Sequence, residues 1–284
     1  MWDVDPELSH IDQTHWLTDG RRLGYAEFGD PEGTPIFFFH GGPGSRLTGE
    51  LLAAAARAVG IRLIALDRPG FGLSSFQPGR SRAEWPSDVL ELADVLDIDR
   101  FLTAGWSAGG PYALACAAAA PDRVRAAGVF AGVDRLHHLN PHMMRALWGL
   151  RGRSQGAELD SHQWSHTLAR VWARTKKARP EMDRAEIATL ATGIAEGLRE
   201  GTAGIFHELR LLAGAWDFEP GTIRHVPVRF WHGLDDALIS TRHTRAMTAR
   251  VPGAQAIYLP DCGHVTLLTQ CGREMLTELK RIAT

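Results

Sequence analysis

The sequence predicts an α/β architecture, a mostly parallel central sheet flanked by helices. Three observations predict it. Short apolar runs alternate with helical segments over much of the chain, and repeated alternation of this kind implies a parallel sheet with helices on both faces. The run Pro35-Ile36-Phe37-Phe38-Phe39, ending at His40, is continuously apolar, as a strand covered on both faces should be. The stretch Thr103-Ala104-Gly105-Trp106-Ser107-Ala108-Gly109-Gly110 sits between an apolar run and a helical pattern, which marks a sharp strand-to-helix turn.

The elements follow in order. Leu23-Gly24-Tyr25-Ala26-Glu27-Phe28 alternates like a strand and is preceded by the turn Asp19-Gly20. The apolar run 35–40 is the next strand. Residues 47–59 are rich in alanine and leucine and read as a helix. Strand 61–66 follows, and 83–96 carries apolar residues at helical spacing. Strand 100–105 enters the glycine-flanked turn, the helix after it begins at Pro111, and 124–133 is a further strand. The alternation then stops. Residues 134–225 have little strand character and read as helices at 141–150, 161–174, 184–200 and 204–215. It resumes with strand 226–232, helix 241–251, strand 254–259 and a final helix over 267–282. This divides the chain into a core of 1–133 and 226–284 and a helical insert of 134–225.

Composition excludes several classes. The chain has 284 residues, 44% hydrophobic and 23% charged, with a net charge of -2. That is ordinary for a globular protein and gives no sign of a nucleic-acid or membrane partner. Cys116, Cys262 and Cys271 are too few for a disulfide framework, and none forms a C-x-x-C pair. The acidic N-terminus lacks a signal-peptide core, and no apolar run reaches transmembrane length. These features predict a soluble, cytoplasmic protein. Oligomeric state is not legible.

The chemistry-bearing residues explain one another. In G-x-S-x-G the turn lifts the Ser107 hydroxyl clear of the backbone, and the next helix aims its amides at the turn. A serine hydroxyl needs a base, and imidazole has a pKa near neutrality. A carboxylate then fixes the imidazole tautomer. Asp235 and Asp236 follow the strand ending at Trp231, and Asp261-Cys262-Gly263-His264 follows the strand ending at Leu259. Functional groups of open α/β sheets gather at the carboxyl ends of strands, so the pieces converge. The turn His40-Gly41-Gly42-Pro43-Gly44-Ser45 brings a backbone amide near the substrate carbonyl, with Gly42 as the donor and Ala108 as the second.

With these residues in view, the chain resembles the α/β-hydrolase family. The segments HGGPG, DRPGFGLSS, GWSAGG, HGLDD and CGH stand in that family's order. The resemblance spans nearly all of 20–283, and it implies a helical lid inserted after the sixth strand. It also implies Ser107 as nucleophile, His264 as general base and Asp236 as the acid, with Asp235 the alternative and Asp134 a position some members use. No metal or organic cofactor is implied. Related dehalogenases and epoxide hydrolases carry aspartate where this chain has Ser107. A serine favours acyl carbonyls, so the expected activity is hydrolysis of a carboxylic ester, thioester or lactone of a small, fairly apolar substrate. HGGPG is also similar to proline iminopeptidases, whose lid glutamates hold an amino terminus; Glu196, Glu200 and Glu208 are the positions for that role. A slow-turnover ligand receptor, or a lyase or cyclase on the same fold, is the reading from another class.

The remaining residues have blander readings. His40, Gly41 and Trp106 beside the turn, with Trp148, Trp164 and Trp216 in the insert, are the candidate pocket lining. Helix packing explains the insert tryptophans equally well. His40 reads as holding its loop by hydrogen bonds. Asp67-Arg68-Pro69-Gly70-Phe71-Gly72 reads as a structural turn near the site, and Cys116 as a small buried hydrophobe. The insert histidines lack a metal-binding spacing, and its arginine-rich stretch 170–179 reads as a solvated face.

Overall fold

The computed structural model describes residues 10–135, 169 and 182–283. Eight strands form one sheet in the order β1-β2-β4-β3-β5-β6-β7-β8. They are β1 (Gln13–Trp16), β2 (Arg22–Gly29), β3 (Thr34–Phe39), β4 (Ile61–Leu66), β5 (Phe101–Trp106), β6 (Val124–Phe130), β7 (Val228–Gly233) and β8 (Gln255–Leu259). The hairpin β1–β2 and the β2–β4 pair are antiparallel, and every other pairing is parallel. The described helices are α1 (Glu50–Ala58), α2 (Trp85–Val95), α3 (Gly110–Ala119), α4 (Arg184–Gly197), α5 (Ala203–Ala213), α6 (Thr241–Thr248), α7 (Thr266–Thr269) and α8 (Gly272–Ile282).

The apolar run of β3 lies at the centre of this sheet. Phe37, Phe38 and Phe39 are all fully buried. Phe38 joins the core on one face, with Leu52, Leu276 and Leu279, while Phe37 and Phe39 join the other, with Trp85, Leu114 and Phe230. Period-2 alternation thus feeds two cores from one strand. Burying each phenylalanine contributes about 1.5–3 kcal/mol.

Three elements differ from the sequence reading. Strand β1 is not anticipated, because Gln-Thr-His-Trp lies on a sheet edge with no buried residue and therefore carries no apolar pattern. Counting it, the insert follows the sixth strand. The single helix read over 267–282 is two, α7 and α8, separated at Gln270-Cys271. The helix read from 47 begins with a 3-10 turn, Arg46–Gly49, capped by the Ser45 side chain. Cys262 and Cys271 are joined as a disulfide, a pairing that the cysteine count does not suggest. Cys116 is buried, and burial raises its thiol pKa. Among the described residues no helix is long and apolar enough to cross a membrane. The helix read at 141–150 and, apart from residue 169, the one read at 161–174 lie outside the described residues, as do Trp148 and Trp164.

The turn after β5 is packed backbone to backbone. A Cβ on Gly105 would lie 2.1 Å from the Gly109 carbonyl oxygen, and one on Gly109 would lie 2.0 Å from that of Phe39. Neither neighbour can yield without moving the sheet. We predict that Gly105→Ala lowers stability by roughly 3 kcal/mol or more, as overpacking against rigid backbone does. Gly253 has φ +72° and open space around its Cβ position, so Gly253→Ala costs only the left-handed backbone term, about 1 kcal/mol. Urea unfolding midpoints of the two variants check the contrast, and equal losses would contradict it.

Candidate active site

Strands β5, β7 and β8 run parallel within the same sheet, so their carboxyl ends open on one edge. Ser107 follows β5, Asp236 follows β7 and His264 follows β8. Ser107 is held at φ 56°, a left-handed conformation that non-glycine residues seldom adopt and that clusters at functional turns. Its carbonyl accepts from the Val133 amide at 3.0 Å, which ties the turn to the segment after β6. The helix α3 begins three residues later.

Backbone contacts align the other two loops. The Leu234 amide donates to the Leu259 carbonyl at 2.8 Å, and the Asp235 amide to the Cys262 carbonyl at 3.0 Å. A Cβ on Gly233 would lie 2.1 Å from the Cys262 oxygen, so glycine permits this approach. His264 Nδ1–H then donates to Asp236 Oδ2 at 2.7 Å. Of the two adjacent carboxylates, Asp236 is the one that reaches His264. The Asp236 Oδ1 accepts from the amides of Leu238 and Ile239, each at 2.8 Å. Asp134 lies elsewhere: its carboxylate is 3.5 Å from Arg250 Nη1 and its amide donates to His243 Nδ1.

A residue that the sequence reading left without a role completes this carboxylate's surroundings. His232 Nε2 lies 3.4 Å from Asp236 Oδ2 and 2.9 Å from the Ile239 carbonyl oxygen, while Nδ1 meets Thr244 Oγ1 at 2.7 Å. The carbonyl can only accept, so Nε2 carries the proton and also faces Asp236. Position four before the acid was the only sequence signal for it. Burial alone would raise the Asp236 pKa, but His264 and His232 outweigh it and hold the carboxyl well below the usual range. It is ionised throughout the neutral range.

Trp106 packs against His264. Its Nε1–H donates to the His264 carbonyl at 3.1 Å, and the two rings lie 5.0 Å apart. The HGGPG turn closes over the same place. A Cβ on Gly41 would come within 3.0 Å of the Trp106 ring and 3.2 Å of Ser107 Cβ, and one on Gly42 would sit 3.5 Å from Ala108 Cβ. His40 holds this turn: its Nδ1–H donates to the Gly41 carbonyl at 2.6 Å and its Nε2 accepts from the Arg68 amide at 3.2 Å. Burial, with Arg68 adding to it, depresses the His40 pKa well below normal, so the ring is neutral.

Trp216 corrects the candidate pocket lining. It is buried in the core with Phe37 and Phe230, stacks on Phe218 at 5.1 Å, and donates to the Asp134 carbonyl at 3.2 Å. Core packing of the segment after α5 wins there. Among the described residues no group of three or more His, Cys, Asp or Glu could hold a metal ion.

Comparison with known proteins agrees with this geometry at the level of the fold. The description of the α/β-hydrolase fold matches residues 34–270, and the chain belongs to that family. It is similar to the dihydrolipoyllysine-residue acetyltransferase component of the acetoin cleaving system of Pseudomonas putida, 30% identical over 270 residues, covering 92% of this chain and 68% of that protein. It is similar also to the proline iminopeptidase of Neisseria gonorrhoeae, 30% identical over 122 residues, which cover 42% of this chain and 36% of that one. Among solved structures, the enol-lactonase from Burkholderia xenovorans LB400 superposes with TM-score 0.73 at 20% identity, covering 96% of this chain and 100% of that one. The Exiguobacterium antarcticum esterase superposes with TM-score 0.73 at 17% identity and the same coverage.

The state of Asp236 has a testable consequence. Its folded pKa lies below the unfolded value of about 3.9, so its stabilising contribution is full above about pH 4 and is lost as pH falls through the lower folded value. We predict that Asp236→Asn lowers stability at neutral pH by roughly 3 kcal/mol. The gap to the unmodified protein narrows as pH drops below about 4. Calorimetric melting across pH checks this, and a gap that widens in acid would contradict it.

Proposed function

We propose that this chain is a serine hydrolase that cleaves a carboxylic ester, or a related thioester or lactone, of a small substrate through an acyl-enzyme. The observation that carries the reading is the 2.7 Å bond from His264 Nδ1–H to a buried, ionised Asp236, beside a serine strained at φ 56°. With Nδ1 committed to Asp236, His264 Nε2 is free to take the Ser107 proton. Ser107 then attacks the carbonyl carbon. The amides of Gly42 and Ala108 stabilise the oxyanion, where preorganised donors matter most. His264 protonates the leaving group and then activates a water that releases the acid. Asp236 stabilises the imidazolium formed in both halves.

In this reading 134–225 is a helical cap on a core of 1–133 and 226–284. Two close contacts support it. A Cβ on Gly197 of α4 would lie 2.2 Å from the Gly44 oxygen, and one on Gly204 of α5 would lie 2.2 Å from the Gly70 oxygen, so both helices rest on loops beside the site. The names of the relatives, an acetyltransferase component, an esterase and an enol-lactonase, fit acyl chemistry.

The similarity to proline iminopeptidase supplies the second reading. It needs carboxylates free to hold an ammonium, and each of the three candidate glutamates already faces an arginine. Glu196 pairs with Arg46 at 2.8 Å, Glu200 lies 4.0 Å from Arg199, and Glu208 pairs with Arg80 at 3.1 Å. The ester reading is therefore preferred.

The test is turnover of a chain-length series of p-nitrophenyl esters beside proline p-nitroanilide, in the unmodified protein and in Ser107→Ala. Ester turnover that falls by roughly a thousandfold or more in a folded Ser107→Ala protein is the expected result. Retained turnover in that variant would overturn the assignment of the nucleophile. Anilide cleavage would favour the iminopeptidase, and no turnover of either would favour a receptor or a non-hydrolytic catalyst.

A further inference from the structure

Beside the site lies a buried cluster of charge that the acyl-transfer chemistry does not use. Arg68, Arg80 and Arg82 come from β4's following loop, and Glu208 from α5. Exposure is 0%, 3%, 0% and 0% in that order. Glu208 Oε2 accepts from Arg80 Nη2 at 3.1 Å and from the Tyr112 hydroxyl at 2.9 Å, and Arg68 Nη2 lies 3.5 Å away. Asp217, on the surface, takes the backbone amide of Arg82 at 2.8 Å, not its guanidinium. Three cations thus surround one carboxylate.

The donors outnumber their acceptors. Arg68 Nε and Nη2, Arg80 Nε and Nη1, and all three guanidinium nitrogens of Arg82 are buried without a hydrogen-bond partner, as is Glu208 Oε1. Buried ions persist only when paired and hydrogen-bonded. Glu208 cannot be the whole answer, since one carboxylate offers about four lone-pair sites and Tyr112 takes one of them. Burial would raise the Glu208 pKa, yet the three arginines outweigh it and hold it low, and burial beside Glu208 keeps the Tyr112 hydroxyl protonated, with its pKa pushed up to about 12. The cluster is therefore positive and short of acceptors.

Its position ties it to the reaction. Arg68 Nη1 donates to the His40 carbonyl, on the turn that carries Gly42. A Cβ on Gly42 would lie 3.8 Å from Arg68 Nη2 and 3.5 Å from Ala108 Cβ. Arg68 thus links the positive cluster to the turn that carries Gly42. We infer that Arg68, Arg80 and Arg82 form a carboxylate-binding subsite, and that the substrate is an ester bearing a second, anionic carboxylate. Planar guanidinium forks match a carboxylate in pairs. The inference rests on the ester-hydrolase reading and narrows its substrate class, replacing the fairly apolar substrate that the sequence suggests.

The experiment compares kcat/KM for mono-p-nitrophenyl esters of succinate, glutarate and adipate with the same esters capped as methyl esters. The expected result is a preference for the charged ester of at least one chain length by roughly tenfold or more. Arg82→Gln lowers that ratio. Glu208→Gln, which removes the internal counter-charge, raises it. A cluster with a merely structural role would leave the ratio unmoved in both variants, and a preference for the capped esters in the unmodified protein would overturn the inference without any variant. Melting with glutarate, glutaramide, acetate and chloride at constant ionic strength separates the failures. If no ester turns over, the hydrolase reading fails, and stabilisation by glutarate that Arg82→Gln abolishes still supports the subsite. Equal stabilisation by every anion, with no ester preference, would identify a site for free anions and overturn the substrate assignment.

Discussion

The constraint on which the rest depends is the crossing of β5, β3 and the start of α3. Three backbone segments meet there with no room for a side-chain carbon at Gly105 or Gly109. The approach is affordable only to glycine, and it forces Ser107 into the left-handed region. The strain is local, but it is fixed by a sheet whose central strand is buried on both faces. Position follows from that rigidity. The serine stands at a strand end, and the parallel order of the sheet brings the loops after β7 and β8 to the same edge.

Electrostatics then separates two buried carboxylates that resemble each other on paper. Asp236 receives two amides and faces two histidines, which hold it ionised. Asp67 receives the Arg46 amide and guanidinium and the Leu73 amide, yet burial outweighs them and raises its pKa to about 6. The difference lies in which influence wins, since both groups are buried. Asp67 ties the β4 loop to Arg46, which also bonds Asp12 and Glu196. That network joins the N-terminal strand region, the loop beside the site and helix α4.

Much of this was legible in the sequence because it lies in local pattern. The phenylalanine run of β3 and the glycines around Ser107 are local patterns, as is the spacing that sets Ser107, Asp236 and His264 after β5, β7 and β8. Strand β1 was not legible, because an edge strand with both faces half-wet has no apolar period. The choice between Asp235 and Asp236 was not legible either, because it depends on how the β7 loop is pinned to Cys262 across the sheet edge. Arg80 and Arg82 were the least legible. An Arg-Ser-Arg segment in a glycine- and proline-containing loop looks solvated. Its burial depends on Glu208, which lies 128 positions away from Arg80. Trp216 shows the opposite case, where a bulky aromatic in an insert suggests a pocket and packs into the core instead.

The central claim is that Ser107 carries the acyl group. Reaction with a fluorophosphonate, followed by peptide mapping of the adduct by mass spectrometry, tests it most directly. The account predicts one phosphonyl adduct, on Ser107, that forms in the unmodified protein and is lost when His264 is replaced by alanine. An adduct on another residue, or ester turnover that continues in a protein fully labelled at Ser107, would contradict it.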